Sequence, residues 1–308
     1  MNRARAVALS EGLFAVLVWG ASFIATKIAV AEVAPVTVVW LRFAIGVVVL
    51  GVAVVARRQF ALIRVRDLGL FALLGLIGIT FHQWLQSNAL VTSRASTSGW
   101  IVATIPIFMA LLGWIVLGER LGRRGLAGIG LAAAGAVLVV SRGSLTTLAA
   151  GRLGAPGDLL MLLSAPNWAV FSVLSRGTLR SHPATRMMFY VMSLGWLFTS
   201  VLFFAGAGTG DIARLSARGW ASVAFLGVAC SGLAYIAWYD ALQHMAASSV
   251  GALLYLEPLV AMAVAAAVLA EPIGAATALG GALILLGVWF VNRETALGEN
   301  VLVHAGEE

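Results

Sequence analysis

Hydrophobic residues in this chain fall into ten long runs separated by short polar connections. An α-helix needs about 20 mostly apolar residues to cross the hydrocarbon core of a bilayer. No connection is long enough to form a soluble domain of its own. The pattern therefore predicts ten transmembrane helices, at about 11–31, 35–56, 67–88, 95–117, 123–141, 157–177, 185–206, 217–239, 246–270 and 274–292.

The two halves of the chain repeat each other at a constant offset of 152 residues, the distance from Glu119 to Glu271. Proline, glutamate and several glycines recur at this one register, which biased composition does not readily produce. The matching pairs are Asn88-Ala89-Leu90 with Asp240-Ala241-Leu242, Ala95-Ser96 with Ala247-Ser248, Pro106 with Pro258, Gly128 with Gly280, and Gly135 with Gly287.

Five helices in each half predict inverted topology, because an odd number of spans starts the second half from the other side of the membrane. Residues 1–145 are expected to form the first repeat and 146–308 the second. Inverted repeats are a common architecture of secondary transporters, with the substrate site near the midplane where the halves meet. We therefore expect an all-α membrane protein with a central cavity.

Basic residues are concentrated on one side of the predicted membrane, in segments such as 57–66 and 120–124. The positive-inside rule then places both the N-terminus and the C-terminus in the cytoplasm. The apolar run after the N-terminus is too long for the core of a cleavable signal. A multi-pass protein of a bacterial-type cytoplasmic (inner) membrane is expected.

The composition agrees with a membrane protein, since 61% of the residues are hydrophobic and only 11% are charged. The net charge of +7 comes almost entirely from arginines between the apolar runs. No basic arm is present, so nucleic acid is not an expected partner. A single cysteine, Cys230, provides neither an internal disulfide nor a cysteine-rich metal site.

Several motifs, in this order and spacing, resemble the drug/metabolite transporter superfamily and, within it, the ten-helix EamA-type proteins. They are Trp19-Gly20-Ala21-Ser22-Phe23 with Lys27, Leu41-Arg42-Phe43, Leu117-Gly118-Glu119-Arg120-Leu121, Glu257-Pro258 and Glu271-Pro272. The resemblance covers nearly the whole chain. It implies two inverted five-helix repeats around a cavity that work by alternating access, and it is greatest to bacterial aromatic amino-acid exporters.

Three ionisable residues lie inside predicted spans, where a charge is costly and marks a candidate functional group. Lys27, near one end of its helix, either extends its ammonium to the interface or serves transport. Arg42 either binds a substrate carboxylate or pairs with a neighbouring helix. Glu257 either carries a coupling proton or packs against a neighbouring helix.

Aromatic and polar residues inside the spans are candidates for a substrate pocket, because rings stack on flat ligands and imidazole or amide groups bind charged ends. His82 and Gln86 lie four residues apart and share one helix face. Pro106 and Pro258 are candidate hinges at equivalent points of two helices. The expected substrate-binding residues are Trp19, His82, Gln86, Trp100, Trp168, Trp238 and Tyr255.

The function expected from these residues is export of small metabolites, amino acids including aromatic ones, with protons as possible co-substrates. Lys27 with Arg42 leaves anionic or phosphorylated metabolites open as an alternative, and nucleobases are another. A lipid-modifying membrane enzyme is a remoter one, with only Asp240 and His244 near a membrane end to support it. No phosphate-binding loop is present. No cofactor, metal or catalytic residue is expected, and no oligomeric state is predicted.

Overall fold

The computed structural model describes residues 3–117, 122–144, 154–245, 250–251 and 253–305. These residues form helices and no strands. Eight helices are long and apolar enough to cross a membrane, and two shorter apolar helices complete the expected ten spans. The prediction of an all-α membrane fold is confirmed. The predicted boundary between residues 145 and 146 lies outside the described residues.

In chain order the first half comprises α1 (Arg3–Val30), α2 (Pro35–Ala56), α3 (Val65–Thr92), α4 in two parts (Ala95–Val102 and Ile105–Leu117) and α5 (Arg123–Ser141). The second half comprises α6 (Pro156–Ser181), α7 (Ala184–Ala205), α8 (Ala217–His244), α9 (Leu254–Leu269) and α10 (Ala275–Ala305). A short helical turn, Gly208–Ile212, lies between α7 and α8.

Most predicted spans agree with the helices to within a few residues, and two differences have a clear cause. The helix α1 begins at Arg3 rather than 11, and α10 continues to Ala305 rather than 292. Hydropathy marks only the part of a helix in lipid, whereas helix formers such as Glu, Ala and Leu carry the helix further. The predicted span 246–270 begins within residues that the structure does not fully describe, and its apolar helix starts at Leu254.

The pairing of α5 with α10 shows the inverted repeat directly. A Cβ added at Gly128 would lie 2.6 Å from the Gly287 carbonyl oxygen, and one added at Gly135 would lie 2.5 Å from that of Gly280. The repeat relates Gly128 to Gly280 and Gly135 to Gly287, so each contact is the image of the other. Small residues let membrane helices approach backbone to backbone. The two helices therefore cross antiparallel around a pseudo-twofold axis.

The third helix of each half contains a π-helical segment at the same place. These segments are Gly75–Phe81 in α3 and Phe225–Leu233 in α8, and the offset of 152 relates Gly75 to residue 227 and Phe81 to Leu233. Insertions of this kind are frequent at functional sites. They leave backbone carbonyls that need partners other than the regular helical amide.

The fourth helix of each half is interrupted before its proline. The predicted span at 95–117 is observed as Ala95–Ile115, in which one helical segment ends at Val102 and the next begins at Ile105. Pro106 lies at the start of the second segment because it has no backbone N–H to give the preceding turn. In α9 a 3-10 turn, Leu254–Leu256, precedes the α-helical part that begins with Glu257 and Pro258.

Candidate functional site

A cavity of about 390 Å³ lies between the two halves. This volume is within the range of small-molecule sites. The residues around it come from both repeats, chiefly from α1, α3 and α4 of the first and α6, α8 and α9 of the second. The lining includes Trp19, Ser22, Arg42, His82, Gln83, Gln86, Pro106, Trp168, Phe171, Tyr235, Trp238, Tyr255, Glu257 and Pro258.

Side chains from the opposite half bind carbonyls of the two π-helical segments. The indole Nε1 of Trp19 in α1 donates to the Cys230 carbonyl in α8 at 3.2 Å. The amide Nδ2 of Asn167 in α6 donates to the Ile77 carbonyl in α3 at 2.8 Å. Because α1 and α6 are the first helices of their repeats, the two hydrogen bonds are approximate images. They hold the irregular segments in place beside the cavity.

Two groups of aromatic rings face this space. Trp19 packs against Tyr235 and Trp238, with ring centroids 5.4 Å and 5.3 Å apart. Trp168 packs against His82 at 4.7 Å and against Phe171 at 4.8 Å. Each group contains rings from both repeats. A flat or apolar ligand group has ring faces available on both sides of the cavity.

Arg42 of α2 is held from both halves of the molecule. Its Nη1 donates to Gln83 Oε1 at 2.9 Å, and its Nε lies 3.2 Å from Ser231 Oγ in α8. The side chain is 6% exposed, so this guanidinium lies well inside the protein. Among the described residues it forms no ion pair. An arginine held by neutral partners keeps its charge available to a ligand.

Glu257 and His82 bring further polar atoms to the cavity. Glu257 lines it from the first turn of the α-helical part of α9. The His82 ring lines the cavity, but its Nδ1 atom is fully buried and has no hydrogen-bond partner within the described part of the chain. Gln86 lies one turn after His82 on the same wall. The cavity therefore combines ring faces with one base, one acid and neutral hydrogen-bonding groups.

Most predicted site residues meet at the cavity. Trp19, His82, Gln86, Trp168, Trp238 and Tyr255 line it, as do Arg42, Glu257, Pro106 and Pro258.

Lys27 and Trp100 lie elsewhere. The ammonium of Lys27 donates to the carbonyls of Leu90 at 3.1 Å and Ser93 at 2.5 Å, so it caps the end of α3. Trp100 is 2% exposed and packs so closely on Gly281 of α10 that an added Cβ there would be 2.5 Å from its ring.

Sequence reasoning did not single out several residues at this site. The repeat offset relates Gln83 to Tyr235, but the two residues differ in type. Only their positions near His82 and Trp238 pointed to the cavity. Ser231 and Asn167 carry single polar groups in apolar helices. An amide between a proline and a tryptophan in a predicted span was the available signal for Asn167.

The two ends of the bundle differ. We define the N face as the side where α2 ends and α3 begins, and the outer face as the other side. At the outer face the Glu271 carboxylate, which follows α9, accepts from the backbone amides of Ala95 and Ser96 and from the Ser96 hydroxyl, at 2.6–3.1 Å. It thereby caps the N-terminus of α4. Its repeat counterpart, Glu119, lies outside the described residues.

Two more carboxylates cap helices across the halves at the outer face. Asp211 accepts from the Thr37 hydroxyl at 2.6 Å and from the Ala34 amide at 2.8 Å. Glu32 accepts from the amide and the hydroxyl of Ser216, both at 2.7 Å. The amide of Ser216, and then its hydroxyl, lower the pKa of Glu32 because they stabilise the ionised form.

At the N face the cavity comes closer to the surface. Its lining extends to Leu179 and Leu242, each two residues from the last residue of α6 and α8. Arg57 and Asp240 form a bidentate ion pair across the halves there, at 2.6–2.7 Å, with 32% and 20% of their side chains exposed.

A protein-family model described as the EamA-like transporter family matches residues 7–141 and 155–293 of this chain. The chain belongs to the EamA-like transporter family. It is thus a multi-pass membrane transporter of small molecules. The family match also confirms the resemblance seen in the sequence motifs.

Similar proteins include an "Uncharacterized transporter" of Archaeoglobus fulgidus, 31% identical over 90% of this chain and 94% of that protein. A "Probable terminal-alkyne amino-acid exporter" of Streptantibioticus cattleyicolor is 30% identical over 75% of each chain. A "Probable amino-acid metabolite efflux pump" of Salmonella typhimurium is 26% identical over 90% of this chain and 92% of that protein.

A solved crystal structure, 23% identical, superposes with a TM-score of 0.63 over 93% of this chain and 97% of that chain. At this identity the likeness concerns the fold alone. It places this EamA chain among proteins with the same helical arrangement.

Proposed function

We propose that this EamA transporter exports amino acids, including aromatic ones, across a cytoplasmic membrane by alternating access. The observation that carries the proposal is the cavity between the halves, where His82, Gln86 and the indoles of Trp19 and Trp168 surround a space of small-molecule size. Imidazole and amide groups offer hydrogen bonds to an amino acid, and the rings cover its side chain. Two similar proteins bear names of amino-acid exporters or efflux pumps.

In this proposal the N face is cytoplasmic and the structure is the inward-facing state. Arginines are concentrated on the N face, in keeping with the positive-inside rule. The cavity approaches that face, whereas carboxylate caps connect the halves at the outer face. Export then requires the outer caps to separate while the N face closes around the substrate site. Pro106 and Pro258, at the interruptions of α4 and α9, are the proposed hinges.

The position of Lys27 argues against a phosphorylated substrate. A phosphate group is expected to need paired bases, and Arg42 is the only lysine or arginine among the described lining residues. Lys27 instead binds two backbone carbonyls at the end of α3. Asp240 and His244, the residues considered for an enzyme, lie beside Arg57 and Glu11 at the N face rather than in the cavity.

Counterflow into proteoliposomes tests the proposal. Vesicles loaded with unlabelled phenylalanine should take up labelled phenylalanine in a saturable way, with tryptophan competing and a sugar phosphate not competing. Exchange of the sugar phosphate alone would contradict the assignment.

Alanine variants at the cavity locate the site. Trp168→Ala and His82→Ala should each reduce exchange several-fold at equal protein amount, because an aromatic contact of this kind contributes about 0.5–1.5 kcal/mol beyond its buried area. The matched control is Trp220→Ala, an indole that is 43% exposed on α8. Wild-type exchange in both cavity variants would refute the site.

A further inference from the structure

We propose that the cavity recognises both charged ends of a zwitterion, with Arg42 binding the carboxylate and Glu257 binding the ammonium. This inference rests on the proposed function and names the chemical class of its substrate. It assigns roles to two residues for which the sequence left structural alternatives open.

The charge of the cavity is the first argument. Among the described lining residues, Arg42 and Glu257 are the only Arg, Lys, Asp or Glu side chains. One base and one acid give a balanced pair, so a zwitterion leaves neither charge without a counter-charge. A simple amine or a simple acid would leave one buried charge uncompensated, which is costly in a site of low dielectric.

The geometry of Arg42 leaves donors directed at the cavity. A guanidinium has five N–H groups, and the described contacts use Nε and Nη1 only. The atom Nη2 has no hydrogen bond in the described residues, yet it is not among the fully buried unpartnered atoms, so it remains accessible from the cavity. Gln83 and Ser231, from the two halves, hold the planar fork in position for a carboxylate.

Glu257 shows the complementary pattern. Within the described part of the chain its carboxylate has no hydrogen bond and no salt bridge, although it lines the cavity. Its oxygens are likewise absent from the fully buried unpartnered atoms. Arg42 does not pair with it, since the described ion pairs within 4.0 Å do not include this pair. A substrate ammonium beside Glu257 would supply three donors to this carboxylate.

The two groups of aromatic rings offer different places to the charged ends and to the side chain of the substrate. Ser231, which binds Arg42, lies about one turn before Tyr235 on α8, so the carboxylate end belongs near the Trp19, Tyr235 and Trp238 rings. The rings of Trp168 and Phe171 remain for the substrate side chain.

Three ligands that share one ring test the proposal on the purified protein. They are phenylalanine, phenethylamine, which lacks the carboxylate, and 3-phenylpropionate, which lacks the ammonium. Binding is measured by calorimetric titration in detergent. In the wild type, phenylalanine should bind about tenfold or more tightly than either analogue, as expected for the loss of one charge-assisted hydrogen bond.

Variants assign the two ends. In Arg42→Gln, phenylalanine should lose its advantage over phenethylamine and keep that over 3-phenylpropionate. In Glu257→Gln, phenylalanine should lose its advantage over 3-phenylpropionate and keep that over phenethylamine. If Arg42→Gln does not fold, Arg42→Lys keeps the positive charge but lacks the two-pronged guanidinium. It should reduce the ratio of phenylalanine affinity to phenethylamine affinity. Arg66→Gln, at an exposed arginine of the N face, is the control and should change neither ratio.

The outcomes separate this inference from the proposed function. Equal binding of phenylalanine and phenethylamine by the wild type, or ratios unchanged in both cavity variants, would overturn two-ended recognition while leaving phenylalanine exchange intact. If the wild type neither binds nor exchanges phenylalanine or any other amino acid, the proposed function itself fails.

Discussion

The helices α5 and α10 contrast with the interrupted helices around the cavity. The pair α5 and α10 meets through glycines, with added Cβ atoms only 2.5–2.7 Å from the facing carbonyls. By comparison, α3 and α8 contain π-helical segments, and α4 and α9 break near Pro106 and Pro258.

The difference lies in how backbone groups are satisfied. In α5 and α10 the glycine surfaces are in direct contact, so displacement of one helix against the other creates collisions. In the interrupted helices, carbonyls such as Ile77 and Cys230 depend on side chains of the other half. A side-chain hydrogen bond can be exchanged for another without unfolding a helix. We infer that α5 and α10 form a fixed support and that the conformational change occurs in the interrupted helices.

The largest effect is expected from filling the glycine contact. In Gly287→Ala the new methyl would lie 2.5 Å from the Gly128 carbonyl oxygen, which forces the helices apart. Overpacking of this kind costs about 1–3 kcal/mol, so we expect a melting temperature in detergent lower by roughly 2–5 °C. The matched control is Gly130→Ala, where nothing lies within 4 Å of the added atom. Equal melting temperatures would refute the fixed-support assignment.

A loss of stability no larger than that of Gly287→Ala is expected from Asn167→Leu. It leaves the Ile77 carbonyl without its donor, at a cost of about 1–3 kcal/mol for a buried acceptor. Hydrogen exchange of the amides in Gly75–Phe81 should become faster because the segment loses its attachment to α6. The control is Asn88→Leu, whose amide bonds to Trp84 within the same helix at an exposed position. Unchanged exchange in the Asn167 variant would show that the bond does not hold the segment.

The interrupted helix α4 also depends on Glu271 at the outer face. Glu271→Gln removes the charge from a cap that joins the halves, so the outward-open population should rise about tenfold for a loss of roughly 1.4 kcal/mol. A Ser22→Cys reporter in a Cys230→Ala background should then react faster with an impermeant maleimide added at the outer face. Asp67→Asn, on the N face, serves as the control. A reaction rate equal to that of the control would argue against this cap as a gate.

A weaker effect is expected at the N face. The Arg57–Asp240 pair is partly exposed, and such pairs contribute about 0.2–1 kcal/mol. Arg57→Gln should therefore lower the melting temperature by no more than about 3 °C. The difference should shrink further in 1 M salt, where exposed charges are screened. A large loss that persists in high salt would mean that the pair holds the halves together more strongly than its exposure suggests.

The smallest effect concerns Glu32 and pH. Because its pKa is lowered in the folded protein, its contribution is fully present above the ordinary glutamate pKa of about 4.3 and is lost as the pH falls through the lowered value. Melting curves of the wild type and Glu32→Gln should therefore differ slightly at pH 7 and converge below about pH 4. A constant difference down to pH 3 would contradict a role for the ionised cap.

Hydropathy was enough to predict the ten spans, because the membrane imposes a length of apolar chain on every helix. The inverted repeat followed from the shared offset, which Gly128, Gly135, Gly280 and Gly287 now show as real contacts. Pro106 pointed to a distortion of α4 near the observed break at 103–104, but the π-helical segments could not be predicted. Nothing in the local residues of Gly75–Phe81 distinguishes them from an ordinary helix, since the segment depends on Asn167, which lies 90 residues away.

The cavity brings together most of the residues that the sequence singled out, but Lys27 and Trp100 are not among its lining residues. The residues Trp168 and His82 stood out as polar or aromatic groups in apolar spans, and the cavity brings them together. Trp100 is also an aromatic residue in an apolar span, but its ring packs against Gly281 of α10. The role of Lys27 depended on the carbonyls that end α3, which no local pattern of α1 reveals.

The hydrogen bonds between the halves also have a consequence for biosynthesis. When a ribosome has produced only the first five helices, the Ile77 carbonyl has no Asn167 to bind it and the glycine face of α5 has no α10 to cover it. The Ile77 carbonyl gains its donor when α6 is inserted, whereas the glycine face of α5 stays uncovered until α10 follows. Insertion of α10 is thus the event that completes the contacts between the halves.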